Sequence, residues 1–244
     1  MQQSNAYIVI FTAILTIVVG GLLSFTSEIL KPYQKKSIEL DTKTSILKAV
    51  MDIDNKKDDV LGIYNSKIES IVVDINGESV EKDKKGNDIV PEDVNILKNF
   101  KMDPENREYP VFKFMGDDGE VEAYIFPIYG NGLWNKIWGF VAIEKDMNTI
   151  KGVSFDHKQE TPGLGQRIAT AEIQQRYIGK KIYDGSGELV SVTMIKGEGK
   201  GQPLTDNEVD GMSGATLTGK GVNDMMLAYL SAYEGYMNKI KSNQ

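Results

Sequence analysis

The chain contains no cysteine. That single absence removes thiolate catalysis, disulfides and cysteine-ligated zinc or iron–sulfur sites together. It leaves the redox compartment open, because a cysteine-free protein suits either side of a membrane. There is one histidine, His157, which rules out a His-rich metal site and argues against a Ser–His–Asp triad. No set of metal ligands and no catalytic residue is identified. The 28 Lys and Arg are outnumbered by 35 Asp and Glu, for a net charge of -7, and they form no basic stripe. A nucleic-acid partner is therefore not expected. Charge of either sign is missing altogether from residues 4–27.

That uncharged stretch is the clearest structural signal. Tyr7 to Leu23 is largely aliphatic or aromatic, and a helix of roughly 20 such residues crosses the hydrocarbon core. A signal peptide would need a basic leader and a small-residue cleavage site, with an apolar core of about 7–15 residues. Here the leader Met-Gln-Gln-Ser-Asn is uncharged and the apolar run is longer. Residues 1–27 are read as an uncleaved anchor held by membrane lipid. Lys31, Lys35 and Lys36 follow the span and no basic residue precedes it, so the positive-inside rule alone puts the soluble part in the cytoplasm.

After the anchor, Asp41 has the character of an N-cap. Ile46, Leu47, Val50 and Met51 follow it at helical spacing, which predicts a short amphipathic helix. Residues 69–77 read as a strand and turn, and 78–105, rich in Lys, Asp, Glu, Asn and Gly, as an exposed connection with little core. Residues 28–105 are taken as an N-terminal extension and connecting region, and 106–244 as the main domain. Strands are expected at 110–115, 121–128, 137–144 and 189–195, divided by turns such as Gly-Asp-Asp-Gly and Gly-Asn-Gly. A helix is expected around 168–177. Val222, Met225, Met226, Tyr229, Leu230, Tyr233 and Met237 then mark one apolar face of a long closing helix over 218–240. The fold class is α+β: one membrane helix, then a soluble domain of antiparallel sheet with packed helices. No internal repeat is visible.

Immediately before the closing helix stands Asp210-Gly-Met-Ser-Gly-Ala-Thr216-Leu-Thr218. Small residues let a backbone approach a ligand closely, and a helix N-terminus offers free N–H groups to a phosphate. The plain alternative is a turn in which Ser213 or Thr218 caps the helix. A P-loop is excluded. Gly214 to Lys220 has the right spacing, but residue 221 is Gly, so there is no hydroxyl for magnesium. The polar approach Thr-Asp-Asn-Glu-Val-Asp also lacks the required strand.

A second special stretch is Glu160-Thr-Pro-Gly-Leu-Gly165. Pro162 and Gly163 suit the two central positions of a type II turn from Thr161 to Leu164. By itself this is equally well a surface turn. Trp134 and Trp138 are the only tryptophans and need no more explanation than a place in the core. His157 reads as a turn or solvated histidine.

Together these segments resemble the bacterial FMN-binding domain family, whose flavinylation motif is matched by Asp-Gly-Met-Ser-Gly-Ala-Thr. In that family a dedicated flavin transferase moves the FMN half of FAD onto the last threonine of the motif. The resemblance implies a covalent FMN phosphoester on Thr216, among Ser213, Gly214, Ala215, Leu217 and Thr218. It further implies a flavin bordered by Glu160, Thr161, Gly163 and Leu164 from the Glu-Thr-Pro-Gly-Leu-Gly element, and by Leu133 and Trp134 from a Gly-Leu-Trp element. The acceptor hydroxyl needs no base on this chain, since a threonine is a weak nucleophile and the transferase activates it.

The order of anchor, Gly-Leu-Trp, turn, threonine motif and terminal helix is similar to that of the NqrC family, which belongs to the sodium-translocating NADH:quinone reductases. The related FMN-bearing component of the Rnf-type ferredoxin:NAD reductases is the close alternative. A membrane-anchored assembly protein without flavin is the rival of a different class. The NqrC resemblance implies single-electron relay between an iron centre and a second subunit's FMN, in company with the other subunits of an inner-membrane complex. It also implies a periplasmic soluble domain, against the direction of the lysine count. Sodium passes through other subunits, so no sodium site is expected.

Overall fold

The structure, a computed structural model, describes residues 4–54, 57–199 and 201–242. Met1, Gln2 and Gln3 of the uncharged leader lie outside the described residues.

Helix α1 spans Asn5–Lys48. Its apolar part is exposed rather than packed against protein, and it is long and apolar enough to cross a membrane. The hydroxyls of Thr12, Thr16 and Thr26 donate to the carbonyls of Ile8, Thr12 and Leu22, each at 2.8 Å. Polar side chains satisfied inside the helix cost less in lipid than free ones. The expected N-cap at Asp41 is corrected here: the helix runs through Asp41, and through Pro32, without a break. Between residues 27 and 48 Leu, Lys, Glu and Gln, all good helix formers, recur in every turn, and extending an existing helix costs less than nucleating a new one.

Residues Lys43–Gln244 form a compact unit distinct from Met1–Thr42. Its frame is a five-stranded antiparallel sheet in chain order: β1 Ile68–Val73, β2 Tyr109–Met115, β3 Val121–Asn131, β4 Lys136–Glu144 and β5 Ile150–His157. Successive side chains of a strand point to opposite faces, and here each face has its own core. Tyr124, Phe126 and Ile128 of β3, with Ile137, Val141 and Ile143 of β4, face one cluster. Ala123, Ile125, Phe140 and Ala142 face the other, together with Ile46 and Leu47 from the end of α1 and Val60 and Tyr64 from α2 (Val60–Lys67).

The first core is closed by α5, Thr216–Ser242, which buries Val222, Met225, Met226, Tyr229, Leu230, Tyr233 and Met237, the apolar face legible in the sequence. Residues 78–105 are mostly exposed but hold α3, Ile96–Phe100, whose Phe100 ring meets Tyr129 edge-on at 5.3 Å.

Three expectations change. β5 was not foreseen, although Val153, Ser154, Phe155 and Asp156 alternate in the manner of a strand. The helix expected over 168–177 is instead a 3-10 turn Gly165–Ala169, a single α turn α4 (Ala171–Gln174) and a second 3-10 turn Gln175–Tyr177, because Thr170 is extended between them. Of the strand expected at 189–195 only β6, Thr193–Met194, forms, paired in parallel with β7, Glu208–Val209. The α+β architecture itself stands.

Candidate functional site

The sheet register decides which loops meet. Asn131 pairs with Lys136 and Ile137 with His157, so the β3–β4 loop and the segment after β5 emerge at the same end of the sheet. The first turn of α5 arrives there too. A side chain on Gly221 would lie 2.3 Å from the carbonyl oxygen of Asn131, so only glycine lets the helix come this near.

Glu160 is the hub of the three segments. Its residue is 5% exposed, and its carboxylate has donors from both other segments. Oε1 accepts the Trp134 N–H at 3.0 Å and the Asn135 N–H at 3.5 Å, while Oε2 accepts the Thr218 hydroxyl at 2.7 Å. Two glycines make room for it. A Cβ at Gly132 would sit 2.4 Å from Oε1, and one at Gly165 would sit 2.6 Å from Oε2 and 2.5 Å from the Thr218 hydroxyl oxygen. Gly132 of the Gly-Leu-Trp element and Gly165, the second glycine of Gly-Leu-Gly, are thereby accounted for by one buried carboxylate.

Around this hub the expected turn is present. Leu164 N–H donates to Thr161 C=O at 3.1 Å, and Gly163 has φ +73°, as a type II turn demands. His157 takes the turn role, its Nδ1 accepting the Glu160 N–H at 3.4 Å. Trp134 is not a core residue. It is 69% exposed, and its indole N–H donates to the Thr161 hydroxyl at 3.1 Å, whereas Trp138 packs against the core. Leu133, Leu164 and Leu217 are also exposed. Gly214, at φ +73°, lies under Leu164, whose Cδ2 a Cβ there would meet at 2.8 Å.

The threonines separate cleanly. α5 begins at Thr216, two residues earlier than the periodicity predicts, and its first i→i−4 bond runs from Gly219 N–H to Ala215 C=O at 2.9 Å. Neither Ser213 nor Thr218 stands at the cap position. Ala215 does, and a methyl group cannot accept the N–H groups of the first turn. Thr218 is buried with its hydroxyl given to Glu160, while Thr216, Ser213, Gly214 and Leu217 face solvent. The site thus offers an exposed hydroxyl at an uncapped helix N-terminus, glycine-lined approaches, and apolar side chains left in solvent on three segments. A phosphate ester fits the first feature, and a flat aromatic ring system fits the last.

Sequence reasoning did not single out Glu198, Arg167 or Arg176. The Ser213 N–H donates to Glu198 Oε2 at 2.9 Å, and Arg176 donates to the Gly211 carbonyl at 2.6 Å. The available signal was the run Gly197-Glu-Gly199, which marks a loop of unusual backbone.

Residues 132–231 match the FMN-binding domain family, a span that includes all of these segments. The NqrC protein of the Na(+)-translocating NADH-quinone reductase of Neisseria meningitidis serogroup A is 37% identical over 229 residues, covering 87% of this chain and 85% of that protein. Its counterpart in Pseudomonas aeruginosa is 27% identical over 265 residues, covering 100% and 98%. Among solved structures, the counterpart from Parabacteroides distasonis superposes with a TM-score of 0.72 at 34% identity, covering 85% of this chain and 96% of that one. NqrC of Shewanella oneidensis gives 0.68 at 26% identity, covering 84% and 98%. On this sequence relationship and this shared fold, the chain belongs to the NqrC family, a subunit of the Na(+)-translocating NADH-quinone reductases.

Proposed function

We propose that this chain carries FMN esterified to Thr216 and relays single electrons within the reductase, from an iron centre to an FMN on a second subunit. The observation that supports it is the contrast just described: Thr216 is the exposed hydroxyl at an uncapped helix entrance, and Thr218 is committed to Glu160. Attachment is made by a flavin transferase using FAD. The Thr216 oxygen forms a bond to the flavin-side phosphorus, the bond from that phosphorus to the AMP half breaks, and AMP leaves. The hydroxyl proton passes to a base of the transferase. When bound, FMN supplies one-electron redox chemistry. The chain's own residues would place it: Trp134 and Leu164 would cover apolar ring surface, Thr161 and the backbone of the 160–165 turn would give hydrogen bonds, and Leu133 and Leu217 would exclude water.

Chain made with the transferase and run denatured on a gel fluoresces under ultraviolet light, and Thr216→Leu abolishes the band. A dark wild-type band, or a fluorescent Thr216→Leu band, would sink the reading.

The chain is anchored in the inner membrane through residues 1–27, contacts the other subunits, and has its soluble domain in the periplasm. The lysines after the span oppose that sidedness, but such a bias can be overridden by a large translocated domain. Because the chain lacks cysteine, one cysteine placed on an exposed surface such as Lys82 reports its side. Labelling by a membrane-impermeant maleimide in spheroplasts is expected, and labelling only after lysis would reverse the assignment.

A further inference from the structure

The carboxylate of Glu198 sits at the centre of an ion-pair network outside the family motifs. Arg167 meets it end-on with two bonds, Nη1 to Oε2 at 2.8 Å and Nη2 to Oε1 at 2.6 Å, and Arg176 Nη2 reaches Oε1 at 2.8 Å. Glu172 Oε1 ties the two arginines from the other side, at 2.9 and 2.7 Å. A bidentate Arg–carboxylate pair is among the stronger and more directional of polar contacts. Two guanidinium groups and two carboxylates leave the cluster neutral, so it is not built to attract a phosphate.

Its free bonding capacity goes to the acceptor loop. Glu198 Oε2 accepts the N–H of Ser213, three residues before Thr216, and Arg176 Nη1 donates to the carbonyls of Gly211 at 2.6 Å and Asp210 at 3.2 Å. The carboxylate of Asp210 closes the circle by accepting the Gly199 N–H at 2.7 Å. Gly197 and Gly199 flank Glu198 with φ of +94° and +65°, a backbone that presents the carboxylate in a way other residues rarely permit. Gly211 lies so near the 195–197 backbone that a Cβ would fall 2.1 Å from the Ile195 carbonyl oxygen and 2.2 Å from that of Gly197. Arg167 belongs to the 3-10 turn that begins at Gly165, so the network joins the acceptor loop to the second flavin-site segment.

We infer that Glu198, with Arg167 and Arg176, is a positioning residue for flavinylation: the network holds loop 210–215 in the shape in which the transferase accepts Thr216. The inference rests on Thr216 being the acceptor. Glu198 bonds Arg167, Arg176 and the Ser213 N–H and not the Thr216 hydroxyl, so it acts on the population of competent loop and not on the transfer step. A substrate that is competent only part of the time binds with an affinity reduced by that fraction. Removing a hydrogen bond to a charged group lowers the ratio of competent to incompetent loop by about tenfold or more. Glu198 makes four such bonds at once, so their joint loss leaves the incompetent shape dominant and the KM rises with it.

The test uses the full-length apo chain from a host without the transferase, in detergent, incubated with purified transferase and FAD, with fluorescent label followed over time at several chain concentrations. Glu198→Gln is expected to raise the KM for the chain about tenfold with kcat nearly unchanged. Glu198→Asp, which keeps the charge, is expected to recover part of the loss, and Arg176→Lys to move in the same direction as Glu198→Gln. Near-ultraviolet circular dichroism shows which variants are folded. A folded Glu198→Gln chain labelled with the wild-type KM overturns the inference, and so does a fall in kcat at unchanged KM. If none of the three variants folds, the network is a requirement of the fold and the inference also fails. A wild-type chain that takes no label, or a Thr216→Leu chain that does, overturns instead the attachment site on which this rests.

Discussion

Thr216 and Thr218 are two positions apart on one helix, and that spacing turns their side chains to roughly opposite sides, about 200° apart at 3.6 residues per turn. One hydroxyl therefore faces solvent while the other is sealed against Glu160. In the sequence the two are separated only by resemblance to a motif, since both are hydroxyls at the helix entrance. What separates them physically is a carboxylate 58 residues away in the chain, which no local pattern reveals. The same carboxylate explains Gly165. Gly165→Ala would press a methyl group into the Glu160–Thr218 contact, and overpacking of that kind costs about 1–3 kcal/mol. Urea unfolding of the apo chain should show the loss as a lower midpoint at an unchanged slope. An unchanged midpoint would mean that the contact yields freely.

At the scale of elements, the sequence succeeded where burial is one-sided and long. α5 carries seven apolar residues on one stripe, and all seven are buried. α1 was recognised in its apolar part and misjudged at its end, because Asp41 resembles a cap while the helix already running through it has no reason to stop. The 168–177 stretch failed the other way. Its helical spacing is real, but Thr170 breaks it into turns, and those turns place Arg167 and Arg176 on either side of Glu198. β5 was missed because Lys151 and Gly152 hide an alternation that becomes regular only from Val153. Its pairing with β4 carries the chain to the end of the sheet where Glu160 is needed.

The molecule as a whole places many tyrosines in one core. Burial raises the hydroxyl of Tyr183 to about 12, helped by the charge of Glu234, and that of Tyr229 to about 12, while Tyr177, Tyr233 and Tyr236 are raised further. An unfolded tyrosine ionises near 10. Above that value the unfolded chain releases protons that the folded chain keeps, so stability is full below about pH 10 and falls as pH rises towards 12. Far-ultraviolet dichroism and the tyrosinate absorbance of these five rings should then change together in one alkaline transition, over and above the signal of the exposed Tyr7 and Tyr33. Tyrosinate absorbance amounting to more than the exposed rings, rising near pH 10 with the fold intact, would show that these hydroxyls reach solvent.

The sequence by itself determined the apolar N-terminal helix, the α+β class, the closing helix and the three segments of the candidate site, because each is written in contiguous residues as periodicity, turn chemistry or motif. Only the tertiary structure decided which threonine hydroxyl is exposed, that Trp134 lies on the surface, and that Glu160 and Glu198 bind the segments together. A buried carboxylate chooses its donors by proximity in space, and proximity between residues far apart in the chain is set by sheet register and helix packing.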